Sequence, residues 1–216
     1  ANAGIERIYG ITGDSLNSVN DSLRRNGKIA FEHVRHEETA AFAAGAEASL
    51  TGKLTVCAGS SGPGNLHLIN GLFDCHRNRV PVLAIASHIP QSEVGLNYFQ
   101  ETHPENLFKE CSCFCELISN PKQMPEILFR AMNAAVGNQD VAVIVLPGDV
   151  AVMEMEIDEL PVWHHPRLPH IVPQRDDIEE MAAHLETGKR ITLFCGAGCE
   201  GAHDEVVELA KRLQAP

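Results

Sequence analysis

The sequence has few aromatic residues and few positive charges. Aromatic residues make up 5% of its 216 positions, and 17 lysines and arginines stand against 29 aspartates and glutamates, a net charge of -12. A surface of that sign repels nucleic-acid phosphates and anionic lipids, so we expect no nucleic-acid partner. With 44% hydrophobic residues the chain can still bury a core, and its length suits one domain and a remainder.

Long apolar segments are also missing. No apolar run approaches the roughly 20 residues that cross a bilayer, and no basic segment leads into an apolar one at the start of the chain. These patterns argue against a membrane-spanning helix and a secretory leader. We therefore expect a cytoplasmic location.

The cysteines lack the spacing of a disulfide framework or of a zinc ribbon. There are seven, an odd number, and no two of them form a CxxC pair. We expect buried thiols. Cys111, Cys113 and Cys115 would share one face of a strand, because side chains alternate there, and this leaves a soft-metal site as an alternative to packing.

Short β-branched runs alternate along the chain with segments of helical apolar spacing. Several runs are apolar throughout, as is typical of strands in a parallel sheet covered on both faces. The sequence therefore predicts an α/β fold, a doubly wound, mostly parallel sheet with helices on both faces. The predicted strands are residues 7–11, 29–34, 54–58, 82–86, 114–118 and 141–146, and the predicted helices are residues 15–25, 37–50, 65–77, 104–109 and 124–136.

Regular patterns stop between residues 147 and 173, where five prolines remove backbone donors and fix extended conformations. We predict a first domain over residues 1–150, a Pro-rich linker over 151–173 and the start of a second α/β domain over 174–216. The last segment is predicted to contain a helix (174–185), a strand (190–195), a glycine turn (196–198) and a helix (205–213).

Both ends of the sequence suggest that further residues adjoin it. Residue 1 is alanine and a predicted strand follows almost at once, while the last βα unit has no next strand to pair with. We expect a truncated chain. The alternative is a natural end with a frayed helix.

Two glycine-containing turns follow predicted strands. Ser61-Gly62-Pro63-Gly64-Asn65 opens a helix, where free backbone amides and the helix dipole favour a polar ligand, but it is neither a P-loop nor a GxGxxG motif. Gly10-Ile11-Thr12-Gly13-Asp14-Ser15 occupies the same kind of position. Two such turns at strand ends predict a ligand crevice, with simple tight turns as the alternative.

His36-Glu37-Glu38 begins like the zinc motif HExxH, but Ala40 stands where the second histidine is required. Zinc hydrolysis is therefore disfavoured, and we predict no metal ligand. Glu37 starts an apolar helix, and two interpretations stay open: a carboxylate favoured by the helix dipole, or a carboxyl whose apolar neighbours suit it to proton sharing. No HxH or HxxxH pair falls on one predicted element, so we expect most of the eleven histidines to be structural or on the surface.

Six separated motifs occur in an order typical of one family. They are Gly10-Ile11-Thr12-Gly13-Asp14-Ser15; Arg35-His36-Glu37-Glu38 with Ala41, Ala44 and Gly45; Ser61-Gly62-Pro63-Gly64; Pro81-Val82-Leu83-Ala84-Ile85; Phe99-Gln100-Glu101; and Leu146-Pro147-Gly148-Asp149-Val150. Over residues 5–150 the chain resembles the pyrimidine-binding domain of thiamine-diphosphate enzymes in the pyruvate oxidase and acetolactate synthase superfamily. Residues 174–216 resemble the start of that family's middle domain.

Within this superfamily, residues 68–77 and 98–104 are most similar to bacterial pyruvate oxidases, the quinone-linked pyruvate dehydrogenases. His67 matches those oxidases, whereas acetolactate synthases usually carry asparagine there. The resemblance therefore favours an oxidase.

The resemblance also implies roles for individual residues. Glu37 would activate thiamine diphosphate by sharing a proton with its pyrimidine N1'. This proton sharing would let the cofactor's 4'-amino group, in its imino form, remove the proton from the reactive C2 carbon. The remaining implied site residues are Gly13, Pro63 and His67 around the pyrimidine, Phe99 and Gln100 facing the substrate, and Gly196 and Gly198 in the turn that opens a flavin-binding domain.

The implied reaction belongs to a complete enzyme. It would decarboxylate pyruvate to acetate and CO2 and pass electrons through FAD to a quinone such as ubiquinone, at the inner face of the cell membrane. The resemblance implies at least a dimer, because in the family the pyrimidine domain of one subunit meets the diphosphate domain of another, and we expect a homotetramer. The GDG motif that holds Mg2+ and most of the FAD site have no counterpart here. We therefore expect this chain to be inactive alone and membrane contact to involve other regions.

Two alternatives remain. The first is an acetolactate synthase or a non-oxidative 2-oxo acid decarboxylase. The second is a stand-alone α/β domain that acts by binding, without catalysis, and the missing diphosphate domain favours it.

Overall fold

Six strands form one sheet in the computed structural model, which describes residues 1–155 and 162–216. They are β1 (Arg7–Gly10), β2 (Ala30–His33), β3 (Thr55–Gly59), β4 (Val82–His88), β5 (Phe114–Leu117) and β6 (Val141–Pro147). Their order across the sheet is β2-β1-β3-β4-β6-β5, and every neighbouring pair is parallel.

Eight α-helices lie in the described part of the chain. They are α1 (Asn17–Asn26), α2 (Glu37–Thr51), α3 (Pro63–Arg77), α4 (Pro104–Leu107), α5 (Met124–Asn138), α6 (Gly148–Ala151), α7 (Arg175–Thr187) and α8 (His203–Leu213). The six strands and five helices predicted before residue 150 are confirmed, with their ends shifted by no more than two residues. None of the described helices is long and apolar enough to cross a membrane.

Helices cover both faces of the sheet because its strands carry apolar side chains on alternate sides. In β6, Val141, Val143 and Val145 belong to a buried cluster with residues of α2 and α3. The intervening Ala142 and Ile144 belong to a second buried cluster with residues of α5. The predicted doubly wound architecture is therefore confirmed.

The direction of strand addition reverses at β1. This strand pairs with β2 on one side and with β3 on the other, where Gly10 lies opposite Ala58. The carboxyl ends of β1 and β3 are therefore neighbours, and ligands bind at such a point in open parallel sheets. The two glycine turns predicted as crevice edges follow these two strands.

Helices α2 and α3 approach each other closely at glycines. A Cβ atom on Gly71 would lie 2.6 Å from Cβ of Ala41 and 2.9 Å from the backbone oxygen of Glu38. A Cβ atom on Gly45 would lie 2.6 Å from Sγ of Cys75. Close-packed interiors do not accommodate such overlaps without movement, so glycine sets the spacing of these two helices.

The chain divides into two compact units, Ala1–Leu168 and Pro169–Pro216. In the first unit, Trp163 is buried and its Nε1 donates a hydrogen bond to Oδ1 of Asn133 at 3.0 Å. Part of the segment predicted as a linker is thus packed against the first unit's core. Pro161, which contributed to that prediction, lies outside the described residues.

The second unit contains the two predicted helices, as α7 and α8, but the strand predicted over residues 190–195 is wrong. This segment forms no ladder with another described strand, and the backbone N–H of Leu193 donates instead to the carbonyl of Pro216 at 3.0 Å. A strand requires a neighbour to satisfy its backbone groups, and apolar composition alone does not supply one.

Burial of thiols is confirmed for Cys57, Cys75 and Cys111, but it is wrong for Cys113 and Cys195, which are exposed. Burial also raises the pKa of Cys75 to about 12 and that of Cys111 to about 11. Such thiols stay protonated at neutral pH and are poor nucleophiles.

The shared strand face predicted for Cys111, Cys113 and Cys115 is wrong, because β5 begins only at Phe114. Cys111 is buried, Cys113 is exposed and Cys115 is half-buried. Among the residues that the structure describes, these sulfur atoms do not come together as a three-ligand group. The geometry therefore supports packing rather than a soft-metal site.

Candidate functional site

Serine hydroxyls join the turns that follow β1 and β3. Oγ of Ser15 accepts a hydrogen bond from the backbone N–H of Ser61 at 3.0 Å and lies 3.0 Å from Oγ of Ser60. The hydroxyl of Ser87, near the end of β4, donates to the carbonyl of Ser15 at 2.6 Å. The predicted crevice therefore has an edge fixed by three neighbouring strands.

Glycines make this edge narrow. Gly62 precedes α3 with φ +67, and a Cβ atom there would lie 3.0 Å from the backbone oxygen of Gln100. A Cβ atom on Gly13 would collide with Oγ of Ser60. Pro63 is the first residue of α3, a position where proline's missing N–H costs nothing. Gly13 and Pro63 thus lie at the two turns, as the sequence predicts.

Glu37 is the first residue of α2 and is 8% exposed. Its Oε2 lies 3.0 Å from Nδ1 of His67 on α3. Gly64 is beside its other oxygen, since a Cβ atom on Gly64 would lie 3.2 Å from Oε1. The structure therefore brings together a buried carboxyl, an imidazole and a space that any side chain at position 64 would narrow.

His36 also lies at this site, although it is not among the site residues that the resemblance implies. It caps α2, because its Nδ1 accepts a hydrogen bond from the backbone N–H of Glu38 at 3.3 Å. Its ring stacks on that of His67, with centroids 4.3 Å apart and planes inclined by 27°. The two histidines are 31 positions apart on different elements, so no histidine spacing within one helix or strand predicts their contact.

The two predicted substrate-facing residues lie differently. Oε1 of Gln100 accepts a hydrogen bond from the hydroxyl of Ser61 at 3.3 Å, which places it at the glycine edge. The side chain of Phe99 is 83% exposed and lies beside the ring of Tyr98, with centroids 5.1 Å apart. Gln100 therefore contacts the turn after β3, whereas the side chain of Phe99 is largely exposed.

Glu101 closes the loop that carries these residues. Its carboxylate accepts hydrogen bonds from the backbone N–H groups of Gly95 at 2.6 Å and Tyr98 at 3.2 Å. The bond from Gly95, more than any other interaction, lowers the pKa of Glu101. The loop is therefore held by an ionised carboxylate at neutral pH.

Gly196 and Gly198, predicted for a flavin site, lie in the second unit on either side of Ala197. A Cβ atom on either glycine would have no neighbour within 4 Å. The described residues of that unit thus form no cradle in which glycine is required, and they do not by themselves fit a flavin diphosphate.

His88 ends β4 and is 5% exposed, and its Nδ1 has no hydrogen-bond partner among the described residues. Burial lowers its pKa in the folded protein. As the pH falls below about 6.5, the unfolded chain binds a proton that folded His88 resists. The contribution of His88 to the free energy of unfolding is therefore largest above about pH 6.5, and it declines as the pH falls below that value.

We expect His88→Gln to reduce the loss of stability between about pH 7.5 and pH 5.5, because this residue's proton uptake is removed. Urea unfolding at both pH values measures the effect. His164→Gln, at an exposed histidine, should keep the wild-type pH dependence. An unchanged pH dependence in His88→Gln would show that His88 does not resist protonation.

The fold and the site together define a parallel α/β domain. It can bind a polar cofactor at the carboxyl ends of β1 and β3, where the direction of strand addition reverses. Residues 1–107 match the family described as thiamine pyrophosphate enzyme, N-terminal TPP binding domain. This part of the chain is therefore similar to the N-terminal domain of thiamine pyrophosphate enzymes.

Longer proteins match nearly the whole chain. A 42.6 kDa uncharacterized protein of Pseudomonas amyloderamosa is 60% identical over 99% of this chain and 54% of its own length. Pyruvate oxidase of Lactiplantibacillus plantarum is 32% identical over 99% of this chain and 36% of its own length. Acetolactate synthase of Arthrospira platensis is 32% identical over 99% of this chain and 38% of its own length. The chain thus spans about half of these relatives or less.

Proposed function

We propose that this chain is the pyrimidine-binding part of a thiamine-diphosphate- and FAD-dependent enzyme that oxidatively decarboxylates pyruvate to acetate and CO2 and passes the electrons to a quinone. The observation that carries the thiamine assignment is the buried carboxyl of Glu37, paired with His67 and open toward Gly64. A carboxyl held away from bulk water can share a proton with a ring nitrogen without losing it to solvent.

Each described residue has a defined task in this proposal. Glu37 holds the proton at pyrimidine N1', and His67 fixes Oε2 so that Oε1 faces the cofactor. Gly13, Pro63 and Gly64 keep the backbone close to the ring, and Gln100 lies at the substrate end of the same edge. Thiamine diphosphate, when bound, supplies the electron sink for decarboxylation of a 2-oxo acid.

The oxidase assignment rests on sequence similarity. His67 and the segment containing Phe99 and Gln100 resemble pyruvate oxidases, and one relative carries that name. FAD enters the proposal through this resemblance alone, and no step depends on Gly196 or Gly198. The ligands of Mg2+ would lie in a diphosphate domain outside these 216 residues.

The same resemblance provides the proposed assembly and location. A homotetramer, or at least a dimer, would bring the diphosphate domain of another subunit to Glu37. We further propose a cytoplasmic enzyme at the inner face of the membrane, with regions beyond this chain in contact with the quinone.

A second candidate is an acetolactate synthase or another non-oxidative decarboxylase of 2-oxo acids. An acetolactate synthase matches the chain at the same 32% identity as the pyruvate oxidase. The two reactions differ in their electron balance, because oxidation of pyruvate and water to acetate and CO2 releases two electrons and acetolactate formation releases none.

An assay of the full-length protein with pyruvate and ferricyanide as an artificial electron acceptor separates these functions. We expect two acceptor molecules to be reduced for each acetate formed. Acetolactate or acetaldehyde formation without acceptor reduction would contradict the oxidase and support the second candidate. No pyruvate consumption with thiamine diphosphate, Mg2+ and FAD present would support a binding domain without catalysis.

A further inference from the structure

Three metal-ligating side chains meet at the start of α2. In the described part of the chain, one group of three or more histidine, cysteine or acidic residues has its ligand atoms within 4.8 Å of one another, and it consists of His36, Glu37 and His67. The first two begin a sequence like HExxH, in which Ala40 replaces the second histidine. Helix α3 supplies that missing imidazole through the tertiary fold.

A small ion requires the stacked rings of His36 and His67 to rotate apart, because the in-plane lone pairs of rings inclined by 27° do not converge on one point. Ligands of a tetrahedral ion at about 2.1 Å lie about 3.4 Å from one another. Oε2 of Glu37 and Nδ1 of His67 are already 3.0 Å apart. Glu37 is buried and fixed, whereas the His36 and His67 side chains are 45% and 44% exposed and have room to adjust.

The donor set selects a class of metal. Two imidazoles and a carboxylate are a common set for Zn2+ and also suit Cu2+ and Ni2+, whereas Mg2+ prefers oxygen ligands. Oε2 of Glu38 lies 3.7 Å from Nδ1 of His36, and Asn70 donates a hydrogen bond to Oε1 of Glu38. Ligation through Nε2 of His36 would place a proton on Nδ1, which would then donate to this carboxylate instead of accepting from the backbone N–H of Glu38.

We propose that His36, Glu37 and His67 form a binding site for a divalent transition-metal ion such as Zn2+. The ion and the pyrimidine of the cofactor exclude each other, because both require the Glu37 carboxylate. The metal site stands on its own geometry, and the exclusion rests on the proposed function.

Titration calorimetry with Zn2+ tests the site. The protein should carry serine at Cys113, Cys115, Cys195 and Cys199, because exposed or half-buried thiols also bind Zn2+. We expect one ion per chain at the cluster. Glu37→Gln, His67→Asn and His36→Asn should each weaken binding at least about tenfold.

The variants include their own structural controls. Asparagine at position 36 retains a helix-capping acceptor, so loss of binding there is not loss of the cap. His164→Asn, at an exposed histidine outside the cluster, should bind Zn2+ like the parent. Circular dichroism confirms that each variant is folded. If all three cluster variants bind Zn2+ with the affinity of the parent, the proposed site is overturned.

Competition in the full-length protein tests the exclusion. With Mg2+ present, saturating thiamine diphosphate should weaken Zn2+ binding at the cluster at least about tenfold. Zn2+ binding that depends on the cluster but not on thiamine diphosphate would keep the metal site and contradict the cofactor role of Glu37. In a third outcome, Glu37→Gln weakens thiamine diphosphate binding, but the cluster variants bind Zn2+ as tightly as the parent. That result would support the cofactor role of Glu37 and overturn the metal site.

Discussion

Replacement of Glu37 by glutamine lowers the pyruvate turnover of the full-length protein at least about a hundredfold, the scale of a lost proton-transfer group. Glutamine matches glutamate in size and can still accept a hydrogen bond from His67 through its amide oxygen. It cannot share a carboxyl proton with a pyrimidine nitrogen. Acceptor reduction at saturating pyruvate and cofactor measures the loss.

Glu38→Gln is the matched control for this prediction. Glu38 is the next residue of α2, but its carboxylate accepts a hydrogen bond from Asn70 and does not contact His67 in the hydrogen bonds described. Its replacement should leave turnover within a few-fold of the parent. Near-normal turnover in Glu37→Gln would remove the proposed proton-sharing role.

Gly71→Ala destabilises the folded protein by about 1–3 kcal/mol, because the added methyl group overlaps Ala41 and the backbone of Glu38. Helices α2 and α3 can relieve the overlap only by moving apart. That movement also lengthens the contact between Glu37 and His67, so cofactor affinity should fall with stability. Urea unfolding measures the change in the free energy of unfolding.

Gly137→Ala tests whether this loss reflects packing rather than the exchange of glycine for alanine. Gly137 lies near the end of α5, and a Cβ atom there would have no neighbour within 4 Å. The substitution should stabilise the protein by about 0.5–1 kcal/mol, since alanine has the higher helix propensity. Equal stability of Gly71→Ala and the parent would contradict the close approach of α2 and α3.

The strands of the sheet are predictable from the sequence because their segments are apolar and the structure buries them. The run from Val141 to Leu146 is apolar at every position, as a strand covered on both faces requires, and it forms the buried β6. Glu37 is likewise found at a helix start, as the apolar pattern after it indicates. Both features are determined by residues that are adjacent in the sequence, so a local pattern predicts them.

The contacts of the site depend instead on neighbours in space. His36 and His67 stack because α2 and α3 pack at Gly71, and no spacing along one helix encodes that approach. Residues 190–195 show the converse, since a strand-like composition forms no strand without a partner to bond to. Parallel-sheet topology predicts that the two glycine turns meet, but not which side chains touch.

Exchange of the C2 proton of bound thiamine diphosphate with deuterium, followed by NMR in the full-length protein without substrate, tests the role of Glu37 most directly. We expect Glu37→Gln to slow this exchange at least about a hundredfold, while Glu38→Gln exchanges at the parent rate. An unchanged exchange rate in Glu37→Gln, with the cofactor shown to be bound, would contradict the proposal that this carboxyl activates the cofactor.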